Sequence, residues 1–185
     1  MRKYISLMGI ITILCGLFLS TCTTTGKKKD LQKLEVVPWV DLNRYAGTWY
    51  EIARYPNRFQ KDCYATSVTY TIQKDGTVEV INTCRSGSVN GKEKSIRGKA
   101  WSVDPQTQAK LKVQFFWPFR GDYWVIQLDE NYQYAVVGHP KRTYLWILSR
   151  TPSLDEQTYA AILGRLQEQG YDTSKLLRTQ HPEVR

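Results

Sequence analysis

Between Trp49 and Ser149 the chain repeats one pattern eight times: a short run rich in valine, isoleucine, threonine and aromatic residues, then turn-forming residues. The runs are WYEIARY (49–55), YATSVTYTI (64–72), TVEVINTC (77–84), KSIRGKAWSV (94–103), AKLKVQF (109–115), DYWVIQL (122–128), YQYAVVG (132–138) and TYLWILS (143–149). β-Branched and aromatic residues suit a pleated, half-buried surface, and this regular spacing predicts an all-β barrel or sandwich. Asp75-Gly76 marks a hairpin between the second and third runs, and Asp104-Pro105, Gly121, Asp129-Glu130-Asn131 and His139-Pro140 separate others. At 185 residues the chain is long enough for one domain with a substantial core.

Runs such as KLKVQF and TVEVI alternate apolar with polar residues, which gives a wall with one wet side; YWVIQL, YAVVG and YLWIL are apolar on both faces. The segment TPSLDEQTYAAILGRLQEQG then changes period. Ser153 and Glu156 have capping-box spacing, Tyr159, Ile162, Leu163 and Leu166 recur at helical intervals, and Gly170 ends the pattern. One amphipathic helix is expected to cover the doubly apolar strands. Eight antiparallel strands with short connections close most simply into an up-and-down barrel, which has room for one small ligand.

The N-terminus reads as processed. Arg2 and Lys3 precede an uncharged apolar run from Tyr4 to Leu19, the layout of a secretory signal over residues 1–21, with a retained membrane-spanning helix as the alternative although the run falls just short of the about 20 residues that span a bilayer. Leu19-Ser20-Thr21-Cys22 resembles a bacterial lipobox, in which the cysteine receives lipid such as palmitate and becomes the new N-terminus; Thr21 departs from the small residues usual there, so a cleaved, soluble periplasmic form stays open. Thr23 does not resemble an inner-membrane retention signal, which makes the outer membrane the expected address. Residues 22–38 read as lipidated N-terminus and polar linker, 39–185 as the domain. Lys27-Lys28-Lys29 would lie near an anionic lipid surface or serve as a solvated tether. Removing Arg2 and Lys3 lowers the formal charge from +9 to +7, spread without a basic stripe interleaved with aromatics, so no nucleic-acid partner is expected.

Three separated motifs carry a family resemblance. Gly47-Thr48-Trp49-Tyr50-Glu51-Ile52-Ala53-Arg54, Asp129 through Tyr132, and Arg150 after WILS resemble the three signatures of the lipocalins, over residues 39–180 and with the same order of eight strands and a helix. Within that family the chain resembles the bacterial outer-membrane lipocalins and apolipoprotein D. The resemblance implies that Trp49 plugs the closed end of the barrel under Gly47, with Arg150 laid across it as a cation–π lock. Period-2 geometry puts Trp49, Glu51 and Ala53 on one face and Tyr50, Ile52 and Arg54 on the other. Glu51 would then need a partner, for which Arg150 or cavity water are the candidates.

In the family register, and in agreement with the local alternation, Val68, Tyr70, Val78, Val80, Ile96, Gly98, Ala100, Leu111, Val113 and Phe115 face inward. Alternation cannot decide the last three strands; the resemblance favours Tyr123, Val125, Ala135, Val137, Tyr144 and Trp146. Asn82 and Gln127 are the polar inward candidates. So apolar a lining suits an acyl chain or flat isoprenoid. The mouth, built from residues 56–63, 85–92, 116–121 and 139–142, holds Arg58, Lys61, Arg85, Lys92, Arg120, Lys141 and Arg142 beside Phe59, Phe116, Trp117 and Phe119. Its cations would suit an anionic headgroup.

Cys63 and Cys84 remain in the domain, and in an oxidising compartment a disulfide is the simplest state. A two-residue turn at Asp75-Gly76 leaves the pair four residues out of register, so Cys63 would have to fold back from the preceding loop. The alternative is a free Cys84 acting as a nucleophile, as in a lipocalin-fold isomerase. Otherwise the chain has two histidines and no HExxH, CxxC, GxSxG or phosphate-cradling loop, so neither catalysis, a cofactor nor a metal is expected. The resemblance implies a carrier or store of one amphipathic lipid, a lysophospholipid or fatty acid, in membrane maintenance. Alternatives are a filled barrel whose outer strands form a homodimer surface, and a carrier of haem or another hydrophobic molecule.

Overall fold

The computed structural model describes residues 32–182. The expected signal sequence, the expected lipidation site Cys22 and Lys27–Lys29 lie outside them. The elements are α1 (Leu42–Tyr45), β1 (Gly47–Arg54), β2 (Cys63–Ile72), β3 (Val78–Ser86), β4 (Glu93–Ser102), β5 (Lys110–Phe116), β6 (Phe119–Leu128), β7 (Tyr134–Gly138), β8 (Leu145–Ser149), α2 (Glu156–Glu168) and β9 (Leu177–Arg178). Each of the eight runs forms a strand. Sequential strands pair antiparallel from β2 to β8, β8 pairs with β1, and β1 returns to β2, closing the barrel.

Closure is shared. β1 meets β2 only at its lower end, where Gly47 to Tyr50 oppose Tyr70 to Ser67. Above Tyr50 the two strands part and the C-terminal segment fills the seam. Ala53 and Arg54 pair with Arg178 and Leu177, Thr179 donates its N–H to the Ile52 carbonyl at 2.9 Å, and Ala65 donates to the Gln180 carbonyl at 2.8 Å. A barrel without free edges leaves no template for strand addition, and here the tail removes the last ones.

Two apolar clusters share the sheet. Inside lie Trp49, Val68, Tyr70, Val80, Val125, Val137 and their neighbours; outside, Ile126, Val136, Leu145 and Ile147 meet Tyr159, Ile162 and Leu166 of α2. Ile162 and Leu166 are completely buried, worth roughly 1.5–3 kcal/mol each. The helix therefore covers the strands that are apolar on both faces. Asp155, not Ser153, is its N-cap, accepting from the Thr158 N–H at 2.8 Å, while Glu156 reaches out to Arg178. At the other end Gly170, at φ +81°, donates to the Gln167 carbonyl and Tyr171 to that of Leu166, a Schellman closure that needs the left-handed glycine.

The packed chain begins ahead of residue 39: Leu34 is buried under α2, and Val36, Val37 and Val40 cross the base of the barrel. Leu34, Val36 and Val37, expected in the linker, thus pack with the domain.

Candidate ligand cavity

The closed end is built by the three motifs together. Asp41 caps the single-turn helix α1, whose last residue, Tyr45, accepts the Trp49 indole N–H at 2.8 Å on its carbonyl. The Arg150 guanidinium lies 3.8 Å from the Trp49 ring centroid and donates to the carbonyls of Thr48 at 3.0 Å and Arg44 at 2.7 Å. It also reaches the carbonyl of Tyr132, whose hydroxyl accepts the Asp41 N–H. Gly47 sits at φ +93°, and a Cβ there would stand 3.4 Å from Arg150 Nη1. Glycine keeps that backbone unstrained beside the guanidinium.

Above this plug the inward face follows the expected register. Val68, Tyr70, Val78, Val80, Ala100, Leu111, Val125, Ala135 and Val137 are buried inside, with Val113, Phe115, Tyr123 and Trp146 packed against them. Asn82 pairs with Val68 and Ile96, which puts both on the inner face, and Tyr144 stacks on Trp146 at 5.8 Å between centroids. Gly98 makes room for Phe115, since a Cβ there would fall 2.6 Å from the ring. At the base, Tyr45, Tyr70, Tyr123, Val40, Ile72, Val78 and Leu111 enclose a cavity of about 20 Å³.

Toward the mouth the packing loosens. Asn82, Ile96, Phe115, Tyr144 and Trp146 face inward yet are only half-buried. Phe59, Phe116, Trp117 and Phe119 stand exposed around the rim, Trp117 at 85%.

Several expectations are corrected by β-bulges, where one extra residue flips the alternation. A bulge between Glu51 and Ala53 turns Arg54 inward beside Glu51. Arg54, not Arg150, is the partner of Glu51, at 2.8 Å. The Glu51 carboxylate also accepts from Gln60 Nε2 and the Thr179 hydroxyl, so the buried charge is satisfied and the C-terminal tail is tied to the wall. Gln60 in turn accepts the Trp146 indole N–H at 2.9 Å. A bulge between Val125 and Gln127 turns Gln127 outward, where it accepts from Arg165 of α2 at 2.9 Å.

Three arginines expected at the mouth point elsewhere. Arg85 comes after the inward Cys84 and so faces out, opposite Glu93 at 3.7 Å. Arg120 lies over the outer face of Trp101, 5.3 Å from its centroid. Arg142 donates to the Gln169 carbonyl at the C-terminal end of α2 and to the Gln32 carbonyl, at 2.7 and 2.6 Å, a favourable place for a cation. Arg58, Lys61, Lys92 and Lys141 remain around the rim.

Cys63 and Cys84 form a disulfide with Cα atoms 5.5 Å apart. Cys63 is the first residue of β2, not part of a folded-back loop. The turn contains three residues rather than two, because Gln73 pairs with Thr77, and the bulge at Ala65 removes one more residue of offset. The cysteines thus become diagonal neighbours, and a bonded Cys84 is no nucleophile.

Residues 40–181 match the family model described as a lipocalin-like domain. The chain is a lipocalin. It is 46% identical to temperature-induced lipocalin-1 of Arabidopsis thaliana over 159 residues, covering 81% of this chain and 84% of that one. It is 42% identical to outer membrane lipoprotein Blc of Escherichia coli K12 over 147 residues, covering 80% and 82%. Mouse apolipoprotein D is 30% identical over 189 residues, covering 95% of each. Among solved structures, insecticyanin from the tobacco hornworm Manduca sexta superposes with a TM-score of 0.64 at 24% identity, covering 81% of this lipocalin and 85% of that chain.

Sequence reasoning missed the interior roles of Tyr45, Arg54, Gln60 and Thr179. For Tyr45 a signal existed: Asp41 before Leu-Asn-Arg-Tyr is an N-cap pattern, and the helix it starts delivers the tyrosine to the barrel base. For Thr179 there was none.

Proposed function

We propose that this lipocalin holds one amphipathic lipid, a lysophospholipid or fatty acid, in its barrel and stores or carries it for membrane maintenance. Lipid on Cys22 tethers the protein to the outer membrane, facing the periplasm. The observation that carries the reading is the graded inner face: a sealed apolar base under Trp49 and Arg150, and half-buried Ile96, Phe115, Tyr144 and Trp146 toward an aromatic-rimmed mouth. Burying an acyl chain there gains about 25 cal/mol per Å² of apolar area, which offsets the chain's loss of membrane contact and keeps exchange reversible. The lipobox-like Leu19-Ser20-Thr21-Cys22 supports the anchor, as does the kinship with a protein named an outer membrane lipoprotein. With Arg85, Arg120 and Arg142 turned away, the rim offers fewer cations to a headgroup than the sequence suggested.

A second reading is favoured by the small base cavity: a barrel filled by its own tyrosines that serves as an interaction scaffold. Mass spectrometry of lipids extracted from the purified full chain separates the two. The carrier reading expects one amphiphile per barrel, or uptake of added lysophospholipid or fatty acid at one to one. A barrel that is empty and ignores both lipids supports the scaffold.

A further inference from the structure

Seven large apolar side chains stand exposed among the described residues, and four of them, Phe59, Phe116, Trp117 and Phe119, are at the mouth. β5 and β6 pair out to Phe116 opposite Phe119, so Trp117-Pro118 form the tip of a hairpin flanked by aromatic rings. Exposed apolar groups clustered in this way mark a contact surface. Phe59 leads inward from it: its ring lies 6.4 Å from that of Tyr144, which stacks on Trp146 inside the barrel.

The charge around the patch identifies what covers it. The mouth segments 56–63, 85–92, 116–121 and 139–142 carry seven lysines and arginines against one carboxylate, Asp62. The turns at the closed end, 73–77, 103–109 and 129–133, carry Lys74 against Asp75, Asp104, Asp129 and Glu130. Arg58, Lys61, Lys92, Arg120 and Lys141 of the mouth are exposed. The chain also enters the fold at this end, because the carbonyl of Gln32, the first described residue, accepts from Arg142 of the β7–β8 loop at 2.6 Å. Cys22 lies ten residues before Gln32. That stretch spans at most about 36 Å, so a lipid on Cys22 would hold the mouth end, not the plug, near the bilayer.

We infer that the mouth docks on an anionic phospholipid surface, with the Phe116–Phe119 tip entering the interface and the exposed cations meeting headgroup phosphates. Tryptophan favours that interfacial level, and each lysine or arginine beside an anionic surface adds attraction. The proposal rests on the carrier reading for what docking achieves: an acyl chain passes from bilayer to barrel along Phe59, Tyr144 and Trp146 without crossing water.

The test is tryptophan fluorescence of the full chain with vesicles of phosphatidylglycerol and phosphatidylcholine whose acyl chains carry bromine, a short-range quencher. Subtracting the spectrum of Trp117→Phe, which keeps an aromatic tip, isolates Trp117. Its emission is expected to fall about twofold or more on the anionic vesicles. Pure phosphatidylcholine vesicles, or the variant Arg58→Gln/Lys61→Gln/Arg120→Gln, are expected to weaken that quenching at least about threefold. Protein that sediments with the vesicles while Trp117 stays unquenched overturns the docking and leaves the anchor intact, and the lipid extracted from the same protein reports separately on the carrier reading. Equal quenching on neutral and anionic vesicles overturns the choice of an anionic surface. Self-association that Phe116→Ser/Trp117→Ser/Phe119→Ser abolishes, without quenching in wild type, assigns the tip to a second copy and overturns the proposal as well.

Discussion

Glu51 and Arg54 lie three residues apart on one strand yet point to the same face of the sheet, their charged groups 2.8 Å apart and both side chains nearly inaccessible to water. In a regular strand that spacing would put them on opposite faces. The bulge at Ile52 brings them together, and Gln60 and Thr179 complete the shell around the carboxylate. Removing one member of a buried pair leaves the other charged and unmatched, at a cost of about 3–5 kcal/mol. Glu51→Gln is expected to show that loss in urea unfolding, and Glu51→Gln with Arg54→Met to recover part of it. Equal stability of the single variant and wild type would show that the pair contributes nothing net.

The C-terminal tail is a piece of the barrel wall. Deleting residues 177–185 should leave the eight-stranded sheet folded but expose the upper halves of β1 and β2. The Ala65 amide, whose acceptor is the Gln180 carbonyl, should lose its protection in hydrogen exchange, while the Val68 and Tyr70 amides lower on the same strand keep theirs. Uniform protection across β2 after the deletion would contradict a wall role for the tail.

The disulfide closes a loop with a sequence separation of 21 residues. For a loop of that length the chain-entropy model gives about 3 kcal/mol of stabilisation. Reduction should lower the urea midpoint accordingly, and neither cysteine of the domain should react with a thiol reagent until a reductant is present. A reactive Cys84 in the native protein would reopen the question of covalent chemistry.

Acid sensitivity has an identifiable contributor in the β2–β3 turn. The Thr77 hydroxyl and N–H, with Lys99 beside them, hold the Asp75 carboxyl at about 2, below its ordinary 3.8. A depressed folded-state value means that the contribution is present above pH 3.8 and is lost as the pH falls toward 2. Stability of Asp75→Asn should therefore change less with pH than that of wild type across this window. Parallel curves would show that Asp75 contributes nothing to the acid response.

The legibility of each element in the sequence depends on the physical signal that encodes it. β-Branched runs and turn residues report strands, and all eight were readable because burial of an inner face leaves its mark on every second residue. Three of the bulges left none: nothing in Glu51-Ile52-Ala53, Tyr64-Ala65-Thr66 or Val125-Ile126-Gln127 announces an extra residue, yet each of these bulges reverses the facing of the residues beyond it. For that reason simple alternation puts Arg54 and Gln127 on the wrong sides and makes the cysteines look too far out of register. Arg85 is a different case, since its place next to the inward Cys84 already aims it outward, and charge at a loop boundary outweighed the alternation. The two-residue strand β9 carries no periodicity to detect, and its position depends on a gap that exists only once the barrel has closed.

Occupancy of the barrel by a lipid, between mouth and plug, can be read out by NMR of the full chain with a spin-labelled fatty acid. Broadening is expected to be strongest at inward Ile96, Val113 and Val137 and weaker at the outward Ile126, Ile147 and Ile162. Broadening confined to the outer group, or absent from both, would contradict such occupancy.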